Sequence, residues 1–217
     1  MTFLESLEWK KMVSDTQIWL TKHNRMCYIL YTLKTSLEVP MQPIQILKTN
    51  LEKLASPEHY MFSVSDFSAL FPEKSISALL VLLGRAVKNG TLIRVCRGYY
   101  VYGKVSYPRE LVLYHLAGRL RANVFCYLSL ESVLSENGII SQIPLNCVTL
   151  MTTGRSGNIN CGKFGRIEFT HTKKSPADIE HLMSRHLLSF DFRYRLWRAS
   201  TELALLDWRA TGRKEFP

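Results

Sequence analysis

The sequence predicts an α+β protein, with an N-terminal winged helix-turn-helix followed by a mixed α/β segment. Three observations predict it. Between residues 41 and 104 three helical stretches precede a short hairpin pattern. From 105 to 217 strand and helix patterns are interspersed, with a glycine-rich stretch between two strand patterns. A hydrophobic fraction of 47% across 217 residues is enough for a sizeable core and sets the chain apart from disordered compositions.

The elements follow in order. Residues 1–40 form an extension with helical spacing at 18–33, ending at Pro40-Met41-Gln42-Pro43. It reads either as a helical arm or as a dispensable leader before an alternative start at Met41. Ile44, Leu47, Leu51 and Leu54 stand at helical spacing and predict a first helix over 44–54, stopped before Ser56-Pro57. Ser65-Asp66 caps a short second helix at 67–70. Ser75 caps a third that runs to Lys88 and ends at Asn89-Gly90. Strands at 92–96 and 99–102 flank an Arg97-Gly98 turn, the tip of the wing. Beyond residue 105 the pattern predicts a helix over 108–121 and a Ser129-capped helix over 130–137. Strands over 147–153 and 163–170 follow, joined by the loop "GRSGNINCG", then helices over 178–188 and 195–210.

Charge singles out one stretch. From residue 85 to 109 the chain carries six basic residues (Arg85, Lys88, Arg94, Arg97, Lys104, Arg109) and no acid, in a protein of net charge +10. At 100° per residue, Ile76, Leu79, Leu80, Leu83 and Val87 share one arc of the third helix, the expected core face. Ser77, Val81, Arg85 and Lys88 share an arc nearly opposite. Small residues with long cations on one face suit a helix entering a major groove, with Arg97 at the wing tip and Arg94 and Lys104 along the ribbon. The predicted DNA-binding set is therefore Ser75, Ser77, Arg85, Lys88, Arg94, Arg97 and Lys104. The plainer alternative is a solvated helix face on a winged helix that contacts protein or RNA and has no operator of its own.

At these residues the chain resembles a known family. "VKNGTLIRVCRGYYVYG" is similar to the winged helix of the AbiEi-like antitoxins of type IV toxin–antitoxin, abortive-infection systems. "CYLSLESVLSENGII" with "CVTLMTTGRSGNINCGKFGRIEFTH" resembles their C-terminal antitoxin domain. The resemblance spans residues 44–210. It implies a DNA-binding domain over 41–104 and an antitoxin domain over 105–217. It also implies repression through inverted repeats in double-stranded DNA upstream of the protein's own operon, and neutralisation of a cognate nucleotidyltransferase-like toxin. For that second role the basic clusters Arg155, Lys163, Arg166 and Arg193, Arg195, Arg198 are the residues to examine. The extension at 1–40 departs from the family pattern.

The remaining motifs argue against enzyme chemistry. "TGRSGN" lacks the Gly-Lys-Ser/Thr ending of a phosphate-binding loop and reads as a strand connection. Ser129, Ser132 and Ser135 have no nucleophile-elbow context. His171, His181 and His186 lack metal-ligand spacing, and five scattered cysteines with no CxxC pair suggest reduced thiols. No catalytic set, metal or cofactor is expected. "FDFRYRLWR" interleaves aromatics with arginines. It reads as an edge strand with its aromatics toward the core, or as a stacking or protein-contact surface. The longest apolar run, 78–83, is too short to span a bilayer, and Glu5 and Glu8 stand where a signal peptide would be basic. A cytoplasmic protein without membrane contact is expected.

Overall fold

A computed structural model describes residues 42–140 and 146–213. The expected arm at 1–40 and the alternative start at Met41 lie outside them. The chain divides into two compact units, 1–47 and 48–217. Of the first, only residues 42–47 are described, the opening of helix α1 (Pro43–Leu54). The rest of this description concerns the second unit.

The described residues form seven α-helices and two sheets, an α+β architecture. After α1 come β1 (Met61–Ser63), α2 (Val64–Leu70), α3 (Ile76–Lys88), β2 (Leu92–Cys96) and β3 (Tyr99–Tyr102). The three strands pair antiparallel in the order β1-β3-β2. Helix α2 starts earlier than its sequence suggests. Ser63, not Ser65, is the cap: its hydroxyl accepts from the Asp66 amide at 3.2 Å while the Asp66 carboxylate accepts from the Ser63 amide at 2.7 Å. This reciprocal box satisfies two otherwise unpaired amides. Ser75 caps α3 as expected, accepting from the Ala78 amide at 3.3 Å.

The larger sheet has six strands in the order β6-β7-β5-β4-β9-β8. These are β4 (Cys126–Leu128), β5 (Cys147–Thr152), β6 (Gly157–Asn160), β7 (Arg166–His171), β8 (Leu188–Asp191) and β9 (Leu196–Ala199). The β5–β7 and β4–β9 pairs are parallel and the others antiparallel. Helix α4 (Val112–Leu120) covers the face bearing Leu150 and Phe169, and Arg121 at its end lies over the Phe169 ring. Helix α5 (Glu131–Glu136) lies on the face bearing Thr149, whose hydroxyl accepts from the Ser132 amide at 3.0 Å. Two further helices, α6 (Pro176–Ser184) and α7 (Thr201–Ala210), are capped by Ser175 and Ser200.

Several expectations for this half are corrected. Ser129 does not cap α5. The cap position is Leu130, at φ 57°, and the Ser129 hydroxyl donates instead to Asp207. Thr149 takes over the task of satisfying an amide of the first turn. The "GRSGNINCG" loop contains strand β6, and the expected strand over 163–170 begins only at Arg166, after a short 3-10 turn. The helix expected over 195–210 is strand β9 followed by α7. Its apolar residues 196, 197 and 199 belong to a buried strand whose length is too short for periodicity to identify.

One core cluster reaches both sheets, while Phe62, Phe67, Phe71, Leu79, Leu83 and Leu92 of the first block are buried outside it. Tyr60, Met61, Val95, Cys96 and Val101 from the first block cluster with Val112, Leu116, Leu128, Leu150 and Phe169 from the second. Polar ties run alongside. Arg119 of α4 donates to the Met61 carbonyl at 2.7 Å and lies 3.8 Å from the Asp66 carboxylate. His115 of α4 bridges two regions: its Nδ1 is 2.7 Å from the Tyr60 hydroxyl and its Nε2 3.0 Å from the Arg193 carbonyl. The neutral tautomer with hydrogen on Nε2 satisfies both contacts. The boundary expected at 104/105 thus falls inside one compact unit.

Candidate nucleic-acid interface

Helix α3 buries Leu79, Leu82, Leu83 and Ala86. Leu79 and Leu83 belong to the predicted core arc, but its other three members do not bury with them. Ile76 and Leu80 are 54% and 47% exposed, and Val87 is half-buried. Every position from 78 to 83 is apolar, so two overlapping arcs satisfy helical spacing, and packing selects the one centred on Leu79 and Leu83. The predicted polar arc is exposed in full: Ser77, Val81, Arg85 and Lys88 all face solvent.

The rejected arc lines a groove. Ile76, Leu80, Gly84 and Val87 repeat at helical spacing along α3 and form one wall. Val64 of α2 and Tyr100 of β3 add apolar lining, and Lys88, Arg94, Arg97 and Gly98 complete a cavity of about 580 Å³. Among the described residues, no acidic side chain lines it. The turn carrying Arg97 is held in place from two directions. Gly98, at φ +84°, makes the tight bend, and its carbonyl accepts from the Val64 amide at 2.9 Å. A register shift between Arg94 and Cys96 bends the ribbon, and Arg94 Nε donates to the Cys96 carbonyl at 3.3 Å.

Gly84 is the residue the sequence reading overlooked. It sits within α3, and a Cβ there would meet nothing within 4 Å. Internal packing therefore does not demand glycine, although glycine costs a helix interior about 0.5–1 kcal/mol relative to alanine. Gly84 lines the groove, where a side chain would point into open space. A glycine inside an otherwise apolar helical run is the signal that marks it in the sequence.

The structure brings together part of the predicted DNA-binding set. Lys88, Arg94 and Arg97 border one groove, and Arg85 is exposed on the same helix. Ser75 and Ser77 lie at the exposed start of α3, their hydroxyl oxygens 3.0 Å apart. Lys104 lies apart from this groove, 3.7 Å from Glu52 of α1.

No family model matches this chain. No curated protein matches it in sequence either.

The second basic set is less uniform. Arg155 is exposed in the β5–β6 loop, where its backbone carbonyl accepts from Arg121 at 2.9 Å. Lys163 is exposed over the Phe164 ring, and Arg166 lines an open polar cleft with Asn146, Asn158 and Asn160. Arg166 Nε also donates to the Cys147 thiol at 3.2 Å, which raises the guanidinium pKa further. The aromatic–arginine stretch is a hairpin rather than one strand. Phe190 and Phe192 are 41% and 84% exposed, whereas Tyr194 and Trp197 pack against the core, so the expectation that the aromatics face the core holds for the latter pair only. Residues 192–195 form the turn between β8 and β9, which takes Phe192 out of the sheet and carries it beyond the edge strand. Arg193 remains exposed over the Tyr194 ring. Arg195 donates to the Glu58 carbonyl at 3.0 Å, and Arg198 pairs with Glu136 at 3.1 Å. Glu136 also accepts from the hydroxyls of Tyr114 and Tyr194. Arg198 thus holds the hairpin against α5.

Behind this surface lies a buried polar cluster that the sequence did not signal. Asp207 of α7 is fully buried. Its carboxylate accepts from Ser129 at 2.7 Å and Tyr127 at 3.0 Å on one oxygen, and from Lys174 at 2.6 Å on the other. Every bond is inward, so the cluster joins β4, α7 and the segment before α6. No helix among the described residues is long and apolar enough to cross a membrane.

Proposed function

We propose that the protein is a cytoplasmic DNA-binding antitoxin that represses its own operon and counters a nucleotidyltransferase-like toxin. The observation that carries the DNA half is the convergence of Lys88, Arg94 and Arg97 on one groove, with no acid among its described lining residues, beside exposed Arg85. The element order α1-β1-α2-α3-β2-β3, with sheet order β1-β3-β2, supports reading this block as a winged helix-turn-helix, with α3 as recognition helix and the β2–β3 turn as wing. In that geometry Arg85 and Lys88 reach base edges or phosphates, and Arg97 reaches the backbone or minor groove at the flank. Inverted repeats in the operator match a protein that binds as a pair of copies.

The antitoxin half rests on the resemblance of residues 126–171 to the family's C-terminal domain. The exposed cations Arg155, Lys163, Arg166 and Arg193 are the available contacts for an acidic toxin surface or a shared nucleic-acid target, whereas Arg195 and Arg198 hold the hairpin in place. Two assays on the full chain test the reading: repression of a reporter fused to the upstream region, and rescue of cells expressing a nucleotidyltransferase-like toxin. Arg85→Ala with Lys88→Ala is expected to lose repression and keep rescue. A variant that represses as well as the native chain contradicts the DNA assignment.

A further inference from the structure

We propose that the groove between α3 and the β2–β3 turn docks an acidic amphipathic segment of a protein partner, and that this docking excludes nucleic acid from the same face. The lining points to protein. Ile76, Leu80, Val87, Val64 and Tyr100 give the cavity apolar walls, and Ile76 and Leu80 are about half exposed. Phosphates and most base edges offer no partner for such walls, since the thymine methyl is the main apolar feature of a major groove. An exposed apolar strip bordered by polar groups is instead the mark of a protein-binding site. Helix-in-groove recognition seats apolar anchors spaced at i, i+4 and i+7 in a trough of this kind.

Charge complementarity defines the occupant. Lys88, Arg94 and Arg97 rim the apolar walls with no acid among them, so the matching segment carries Asp or Glu beside its apolar anchors. Gly84 fits the same reading. It lowers helix stability where no internal neighbour requires it, and the space left by its missing side chain opens into the groove. A close approach by the partner's backbone or by a large side chain uses that space. The same three cations serve either a phosphate backbone or the partner's carboxylates, so one occupant displaces the other. A partner that presents this segment would therefore release the protein from DNA. The docking does not depend on the repressor reading, because the groove has its walls and rim whether or not a duplex binds.

The test is fluorescence anisotropy with the full chain and three short labelled helical peptides. The first carries Leu at i, i+4 and i+7 with Glu elsewhere. The second replaces the Leu by Ser, and the third replaces the Glu by Lys. Only the Leu/Glu peptide is expected to bind. Gly84→Leu, which fills the trough, is expected to weaken it at least about tenfold, with Gly84→Ala as a folded control. Leu80→Glu places a charge on the wall and supplies a second loss-of-binding variant at a half-exposed position. Unlabelled duplex DNA is expected to displace the Leu/Glu peptide. Equal binding of the Ser peptide would reduce the effect to charge attraction and overturn the proposal. So would unchanged affinity in both groove variants. Absence of peptide binding, with Gly84→Leu weakening a duplex alone, would assign the groove to nucleic acid. Peptide and duplex bound together would overturn the exclusion. If no duplex binds but the Leu/Glu peptide does, the docking stands and the repressor reading falls.

Discussion

Replacing Asp207 by alanine removes the acceptor on which Ser129, Tyr127 and Lys174 converge. Asp207 is fully buried, whereas Lys174 keeps 25% of its side-chain surface exposed. Breaking a buried ion pair by deleting one partner costs about 3–5 kcal/mol, mostly because the remaining charge is stranded. Lys174 regains part of its hydration through its exposed surface, which places the cost in the lower half of that range, about 3–4 kcal/mol. The two hydroxyls lose a shared acceptor and have little water in reach, so the cost does not fall below this. For a unit of this size each kcal/mol moves the melting temperature by about 2–4 °C, and the expected drop is about 6–16 °C. Urea unfolding followed by circular dichroism gives the free energy directly. Lys174→Met alone and with Asp207→Ala completes a double-mutant cycle, in which a coupling of at least about 1 kcal/mol is expected. A loss under about 1 kcal/mol in the Asp207→Ala chain would refute the assignment of this cluster as the polar tie between β4 and α7.

Other outcomes follow from the same contacts. Chains cut at 104/105 are expected to be less stable than the full chain when expressed separately, because the cut exposes Tyr60, Met61, Val95, Cys96 and Val101 to water. Fragments that both melt at the temperature of the full chain would contradict the shared cluster. Gly84→Ala is expected to stabilise the protein by about 0.5–1 kcal/mol, since the new methyl enters open space and removes the helix cost of glycine; thermal melting measures it. His115 gives a pH dependence. Burial holds its pKa below 6.5, opposed by the Arg193 carbonyl and reinforced by Arg195 and Arg119. As pH falls below 6.5 the unfolded chain takes up the proton first, so the contribution is fully present above 6.5 and is lost as pH drops toward the lowered folded value. His115→Gln is expected to flatten the stability–pH curve in that window, and an unchanged curve would place the titration elsewhere.

The first block was largely legible because its punctuation is local. Ser75 caps α3, Asn89-Gly90 ends it and Arg97-Gly98 turns the hairpin, each through chemistry within a few residues. Strand β1 was missed because its three residues are too few to show a period, and it exists through pairing with β3 some forty residues on. The core arc of α3 was misjudged for the opposite reason: too many apolar residues made two faces equivalent until packing chose one. That choice created the groove, so the most informative surface of the molecule was visible in the sequence only as an ambiguity. In the second half, the spacing over 195–210 suggests helix where β9 is a strand, because Leu196, Trp197 and Ala199 lie between β4 and β8 through tertiary pairing, which local spacing does not encode. The Arg195 and Arg198 cations looked free in sequence, but their partners Glu58 and Glu136 are far along the chain.

The proposed function requires that the Arg85, Lys88, Arg94 and Arg97 surface read duplex DNA from the protein's own upstream region. Equilibrium binding of the full chain to that duplex and to random duplex, across a range of salt, tests it most directly. Tighter binding to the upstream duplex is expected, with a steep loss of affinity with salt from release of counterions at the phosphates contacted. Arg85→Ala is expected to cost about 1–3 kcal/mol on the upstream duplex, with a smaller effect on random DNA, as for a residue that reads a base. Arg97→Ala is expected to weaken both duplexes equally and to reduce the salt slope by about one, as for a phosphate contact. Equal affinity for the upstream and random duplexes, or a salt slope unchanged in the Arg97→Ala chain, would contradict the account.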